Sequence, residues 1–139
     1  MILDDMKIGI TFGTFDLFHI GHLNILSRAK ENCDVLYVGV SSDLLNFSKK
    51  RIRSVYGEYE RLEIVSAIKY VDFVFLEESL EKKIEYIKKY KADLLIMGDD
   101  WLGKFDFCKE VCDVLYLPRT PNVSTTMIKA EIFNFGTKE

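Results

Sequence analysis

Residues 7–40 read KIGITFGTFDLFHIGHLNILSRAKENCDVLYVGV, and this stretch decides the fold. Lys7 to Phe12 is a short apolar run of β type, broken at Gly13. Beyond it Ile20, Leu23 and Leu26 recur at helical spacing, with Asn24, Ser27, Arg28 and Lys30 facing outward. Val35 to Val40 then returns to a β-branched apolar run. A strand, a helix and a second strand in this order build a parallel sheet, because a helical crossover brings the second strand alongside the first.

The remaining sequence repeats the alternation. A helical pattern carrying Leu62, Val65 and Ile68 precedes a strand from Val71 to Leu76. Ser79 to Lys91 is amphipathic, with Leu80, Ile84 and Ile87 as its stripe. Its acidic residues come early and its lysines late, which suits a helix dipole. Asp93 to Met97 and Val114 to Leu117 read as two more strands, and Ser124 opens a helix carrying Ile128 and Ile132. The pattern predicts an α/β fold in one domain over residues 1–139. Its architecture is a Rossmann-like three-layer sandwich with a parallel five-stranded sheet covered on both faces.

Composition narrows the function. At 139 residues, 48% hydrophobic and 29% charged, the chain has the balance of a soluble globular protein. Nineteen basic against twenty-two acidic residues leave a net charge of −3, which argues against a nucleic-acid partner while permitting a local basic pocket. Cys33, Cys108 and Cys112 are an odd number, so no disulfide framework is expected. Cys108 and Cys112 lack partners for a tetrahedral zinc site and read as two thiols on one helix face. The first residues, MILDDMK, lack the basic–apolar–cleavage order of a leader. No apolar run approaches the roughly 18 residues of a membrane span. The expectation is a cytoplasmic protein without a membrane partner.

Ligands of open parallel sheets bind beyond the carboxyl ends of the strands, where strand order reverses. The segments to inspect are therefore 13–22, 41–53, 98–107 and 118–126. The first holds both histidines of the chain, His19 and His22, three residues apart and on one face of a starting helix. Free N–H groups of that first turn favour phosphate, and Gly21 permits close approach to the backbone. Two structural histidines, or half of a metal site, are the alternatives, but the spacing supplies no third metal ligand. The run KKRIR at 49–53 places four cations in five residues, either as a solvated face or as a cover for anionic substrates. Ser124, Thr125 and Thr126 form a hydroxyl run at another helix start; an N-cap explains the serine but not all three.

The motif GTFDxxHxGH at 13–22 resembles the signature of the cytidylyltransferase branch of the nucleotidyltransferase superfamily. MGDDWLGKFD at 97–106 is similar to a loop of glycerol-3-phosphate cytidylyltransferases, and RTPNVSTT at 119–126 to their Arg-Thr-x-Gly-x-Ser-Thr-Thr segment. The likeness runs from about Ile8 to Ile132. It implies an enzyme in which a phosphate oxygen of the acceptor attacks the α-phosphorus of CTP and expels pyrophosphate. With glycerol 3-phosphate the product would be CDP-glycerol. The alternatives are phosphocholine, phosphoethanolamine or a polyol phosphate as acceptor, or a non-catalytic CTP-binding module.

By this resemblance His19, His22 and Lys49 are the catalytic residues. Thr14, Phe15, Gly21, Asp100, Arg119, Thr120, Ser124, Thr125 and Thr126 bind the nucleotide, and Trp101 supports the pocket. Lys49, Arg51 and Lys83 meet the acceptor phosphate, although Lys83 could equally be an exposed helix lysine. Asp16 either orients an imidazole or holds its turn. Arg61 and Lys69 stand where the family has arginines. Magnesium is expected on the triphosphate, and a homodimer is the usual assembly. Three departures stand out: Asn122 for the usual glycine, Leu80 where glycerol-type members often carry tryptophan, and one residue inserted between Arg53 and Arg61. Asn tolerates the left-handed conformation better than most residues. Phe47, Tyr56 and Tyr59 are candidates for the aromatic cage a quaternary ammonium acceptor would need.

Overall fold

Five parallel strands form in the computed structural model, which describes residues 5–51 and 53–137 apart from the side chains of residues 49, 50, 136 and 137. They are β1 (Ile8–Gly13), β2 (Val35–Ser41), β3 (Phe73–Glu77), β4 (Leu94–Gly98) and β5 (Asp113–Leu117), in the order β3-β2-β1-β4-β5. Strand β1 is central, pairing with β2 from Ile8↔Val35 to Gly13↔Val40 and with β4 through Gly9↔Leu94 and Ile10↔Leu95. The order reverses between β1 and β4, so the crevice of this fold lies at the end of β1.

The period-2 alternation of each strand sorts two cores. Leu36, Val38, Val40, Leu94 and Ile96 face one side, covered by α1 (Ile20–Glu31) through Leu26 and Ala29 and by α3 (Glu58–Ser66) through Val65. Ile10, Phe12, Leu95 and Met97 face the other, covered by α4 (Lys83–Lys89) through Ile87 and by Phe105 and Cys108. Burying each of these large apolar side chains contributes roughly 1.5–3 kcal/mol. Gly39 lies where an added Cβ would come within 2.6 Å of the Phe12 ring and 2.8 Å of the Phe75 ring. The missing side chain lets those rings meet edge to face at 5.7 Å.

Some elements differ from the expected ones. Strand β3 begins at Phe73 rather than Val71, because the Asp72 carboxylate takes the Leu36 N–H at 2.8 Å in place of a strand carbonyl. The helix expected over 79–91 is a 3-10 turn, Leu80–Lys82, followed by α4, and its start is held by Ser79 accepting from Glu81 N–H. Residues 43–50, for which the pattern predicted no element, form α2 (Asp43–Lys50), capped by the Ser42 hydroxyl on Leu45 N–H. Helix α5 (Thr125–Thr137) opens after Ser124 as expected, but Ile132 lies 62% exposed, and Ile20 on α1 is 54% exposed. Cys108 and Cys112 do not share a helix: Cys108 sits in a 3-10 turn over Asp106–Glu110, and Cys112 follows it. Among the described residues no helix is long and apolar enough to cross a membrane.

Candidate active site

The turn leaving β1 is unusual in its backbone. Phe15 and Leu17 both take positive φ, 54° and 49°, a region costly for side chains of this size. Asp16 between them, 4% exposed, holds the turn: Oδ1 accepts the N–H of Leu17 and Tyr56, and Oδ2 that of Val55. Of its two expected roles, Asp16 therefore takes the backbone one.

The turn delivers two imidazoles to the start of α1. His19 is the N-cap, its Nδ1 accepting Gly21 N–H at 3.0 Å. His22 answers, its Nδ1 accepting His19 N–H at 3.2 Å, and the rings stack with centroids 3.7 Å apart. A backbone N–H can only donate, so both Nδ1 atoms are unprotonated and each neutral ring carries its proton on Nε2. Burial, followed by the Arg119 charge, lowers the His19 pKa. Burial does the same to His22 more strongly, aided by His19 and Arg119 and opposed by Asp16, and brings it to about 3. The pair thus presents two neutral N–H donors at pH 7. Gly21 is required here: a Cβ would stand 2.8 Å from the His19 ring.

These rings line a cavity of about 500 Å³ at the switch point, a size suited to a nucleotide-scale ligand. Thr14, Phe15, Gly21, Asp100, Trp101, Arg119, Thr120, Ser124, Thr125 and Thr126 line it too, so the expected nucleotide residues converge on one space. Ser124 caps α5 through Met127 N–H at 3.1 Å, while the Thr125 hydroxyl donates to the Asp16 carbonyl at 2.9 Å, tying α5 to the first turn. Asn122 adopts φ 62°, the left-handed conformation for which asparagine is suited. Arg119 and Asp100, both about half exposed, form a loose pair at 3.5 Å.

Other expected residues lie elsewhere. Arg51 is exposed, with its guanidinium 5.9 Å over the Phe47 ring, and is absent from the cavity lining. Lys49 lies on α2, but its side chain falls outside the described residues. Phe47, Tyr56 and Tyr59 are exposed and form no cage in the cavity. Lys69 sits 5.1 Å over Tyr70. Lys83 is not an exposed helix lysine: it is 1% exposed, lines the cavity and pairs with Glu77 at 2.8 Å.

Asn46 and Lys129 line the site without belonging to a motif, and Arg61, which the resemblance pointed to, supports it from behind. Asn46, 3% exposed, accepts the Thr14 hydroxyl and donates to the Ser54 hydroxyl, both at 3.0 Å. Arg61, fully buried, donates to the carbonyls of Tyr56, Thr14 and Ser41 and pairs with Asp43 at 2.7 Å. Its planar fork joins the turn after β1, the β2–α2 junction and the approach to α3 at once, a geometry a lysine cannot reproduce. Lys129 brings a further cation to the cavity, 3.8 Å from Asp16. An amphipathic short helix would have flagged Asn46 as its inward polar residue. Glu77, ending an apolar strand, carries no comparable sign.

Among the described residues no group of three or more His, Cys, Asp or Glu side chains is placed to hold a metal. Asp16 is committed to backbone N–H groups and Glu77 to Lys83, so Asp100 is the cavity carboxylate best able to help a cation carried by phosphates.

Comparison with known proteins places the chain in a family. Residues 10–131 match a family model described as cytidylyltransferase-like. The chain is 49% identical over 128 residues to a glycerol-3-phosphate cytidylyltransferase of Bacillus subtilis (strain 168), covering 91% of this chain and 98% of that protein. To the protein of the same description from Staphylococcus aureus (strain NCTC 8325 / PS 47) it is 42% identical over 133 residues, covering 96% and 100%. Its fold is similar to that of a lipopolysaccharide core biosynthesis protein from Thermoplasma volcanium GSS1, with a TM-score of 0.70 at 21% identity over 83% of this chain and 98% of that one.

Proposed function

The chain belongs to the cytidylyltransferase-like family, and from that premise we propose that it transfers the cytidylyl group of CTP to glycerol 3-phosphate, releasing pyrophosphate and CDP-glycerol. The observation that carries this reading is the paired Nδ1 capping of His19 and His22, which aims two neutral N–H donors into a crevice also bounded by the start of α5.

The reaction is an in-line displacement: an acceptor phosphate oxygen bonds to the α-phosphorus as the bond to the bridging oxygen of pyrophosphate breaks. Such a transfer needs positioning and stabilisation of charge rather than a covalent intermediate. The two Nε2–H groups act where negative charge accumulates on the triphosphate, and a preorganised donor of this kind contributes on the order of 10²–10³ in rate. Free N–H groups at the start of α5, with Thr126 and Lys129 near them, suit the β- and γ-phosphates. The nucleotide loops follow β4 and β5, so the acceptor enters from the flank of β2 and β3. Asp100 would help hold magnesium on the phosphates, and that ion supplies neutralisation of the departing charge. The homodimer belongs to the same reading, supported by the exposed apolar residues Ile132, Phe133 and Phe135 of α5. Sedimentation velocity giving only the single-chain mass would remove it.

The test is pyrophosphate release from CTP and magnesium with glycerol 3-phosphate, phosphocholine, phosphoethanolamine and ribitol 5-phosphate in turn. Turnover with glycerol 3-phosphate is expected, with loss of orders of magnitude in a folded His19→Ala variant. Preference for another acceptor would replace the substrate. CTP binding without turnover on any acceptor would reduce the protein to a binding module.

A further inference from the structure

Glu77 closes β3 with its carboxylate 1% exposed, yet it lines the same cavity as the histidines. A carboxylate in a pocket built for phosphates is repulsive unless neutralised. Lys83 neutralises it at 2.8 Å, and that ammonium lies 4.0 Å from the Phe12 ring centre and 4.7 Å from that of Phe105. Burial pulls the Lys83 pKa down, and Glu77 works against that fall. The pair has no net charge, so it offers little attraction to a phosphate.

Its hydrogen-bonding capacity is another matter. Lys83 has three donors, of which Glu77 takes one, while the carboxylate has about four acceptor positions. Those positions serve Lys83 through Oε2 and the Ser41 hydroxyl through Oε1, the latter at 3.4 Å. By this count both partners keep hydrogen-bonding capacity beyond the pair itself. A hydroxyl, which gives one hydrogen bond and takes another, matches that arrangement, and two adjacent hydroxyls match it twice. A phosphate can only accept, and would meet Glu77 as a like charge. A trimethylammonium group can do neither, and the two rings beside the pair, Phe12 and Phe105, already hold the ammonium of Lys83. The pair also lies on the acceptor flank, at the end of β3 and the start of α4.

We propose that Glu77 is a specificity-determining residue which, held by Lys83, binds the free hydroxyls of the acceptor tail; this rests on the glycerol 3-phosphate reading above. The carboxylate accepts from the hydroxyls and Lys83 donates to them. An acceptor without those hydroxyls leaves buried polar groups unpaired, which is the strongest form of discrimination a pocket can apply.

The experiment compares glycerol 3-phosphate, propane-1,2-diol 1-phosphate, propane-1,3-diol monophosphate and propyl phosphate in the full-length protein and in Glu77→Gln. Each compound is followed by pyrophosphate release, and any that does not turn over is measured as a competitive inhibitor of glycerol 3-phosphate. The parent should prefer glycerol 3-phosphate to propyl phosphate by roughly 100-fold, and Glu77→Gln should erase most of that preference. Its CTP affinity should match the parent's. An equal loss on all four compounds would make Glu77 structural and overturn the inference alone. No turnover of glycerol 3-phosphate by the parent would instead remove the functional reading and the inference with it. If Glu77→Gln does not fold, the double variant Glu77→Gln/Lys83→Met leaves no unpaired charge and must show the same collapse of preference.

Discussion

His22 offers a stability test that depends on its protonation alone. Its imidazole is held neutral in the folded protein, with a pKa of about 3 against 6.5 for an unperturbed histidine. Between those values the unfolded chain binds more protons than the folded one, so stability falls as pH falls and is fully present above about pH 6.5. Going from pH 7 to pH 5 crosses about 1.5 units of that window, so His22 should remove about 2 kcal/mol of stability. The control is His22→Asn, whose carboxamide oxygen can still accept the His19 N–H but does not titrate. His19 stays in both proteins, so its own lowered pKa cancels in the comparison. Urea unfolding of both proteins at pH 7 and pH 5 reads the difference directly. The parent should lose about 2 kcal/mol more than the variant. Parallel losses would mean that His22 titrates normally, and the reasoning from burial and the stacked ring would be refuted.

Three other outcomes follow from contacts described above. Gly21→Ala puts a Cβ 2.8 Å from the His19 ring, and displacing that donor should lower kcat/KM for pyrophosphate release about 100-fold with little change in Tm. Arg61→Lys puts one nitrogen where Arg61 uses three, so at least one of its partners loses its donor, and it should cost about 1–3 kcal/mol in urea unfolding. Removing magnesium with EDTA should abolish turnover, whereas the Tm of the ligand-free protein should not move, since the ion comes with the substrate.

Much of this was legible in the residues, for a physical reason. Strands buried on both faces must be continuously apolar, and helices covering them must carry a stripe, so the order of elements could be read along the chain. The loops that line the cavity were legible because Gly21, the two histidines and the hydroxyl run are chemically unusual together. Helix α2 was hidden because it is only eight residues long and runs directly into a charge run at its end. Ile20 and Ile132 were misplaced because spacing marks a helical face but not whether another element covers it. Glu77 carried no sign at all, and the burial of Lys83 and Arg61, though the resemblance had singled both out, was hidden because charged side chains are ordinarily exposed. Only the fold shows that each has a partner able to compensate its burial.

The central place of β1 has a consequence for synthesis on the ribosome. The strand that carries the histidine turn must wait for β4 before its second edge is paired, and Gly9 meets Leu94 across a separation of 85 positions. The bond from Thr125 to the Asp16 carbonyl spans 109 positions. A nascent chain therefore holds its imidazoles early but has no cleft in which to use them. Nucleotide capture would report the arrival of α5, which makes a fluorescent CTP analogue a clock for the last step of folding.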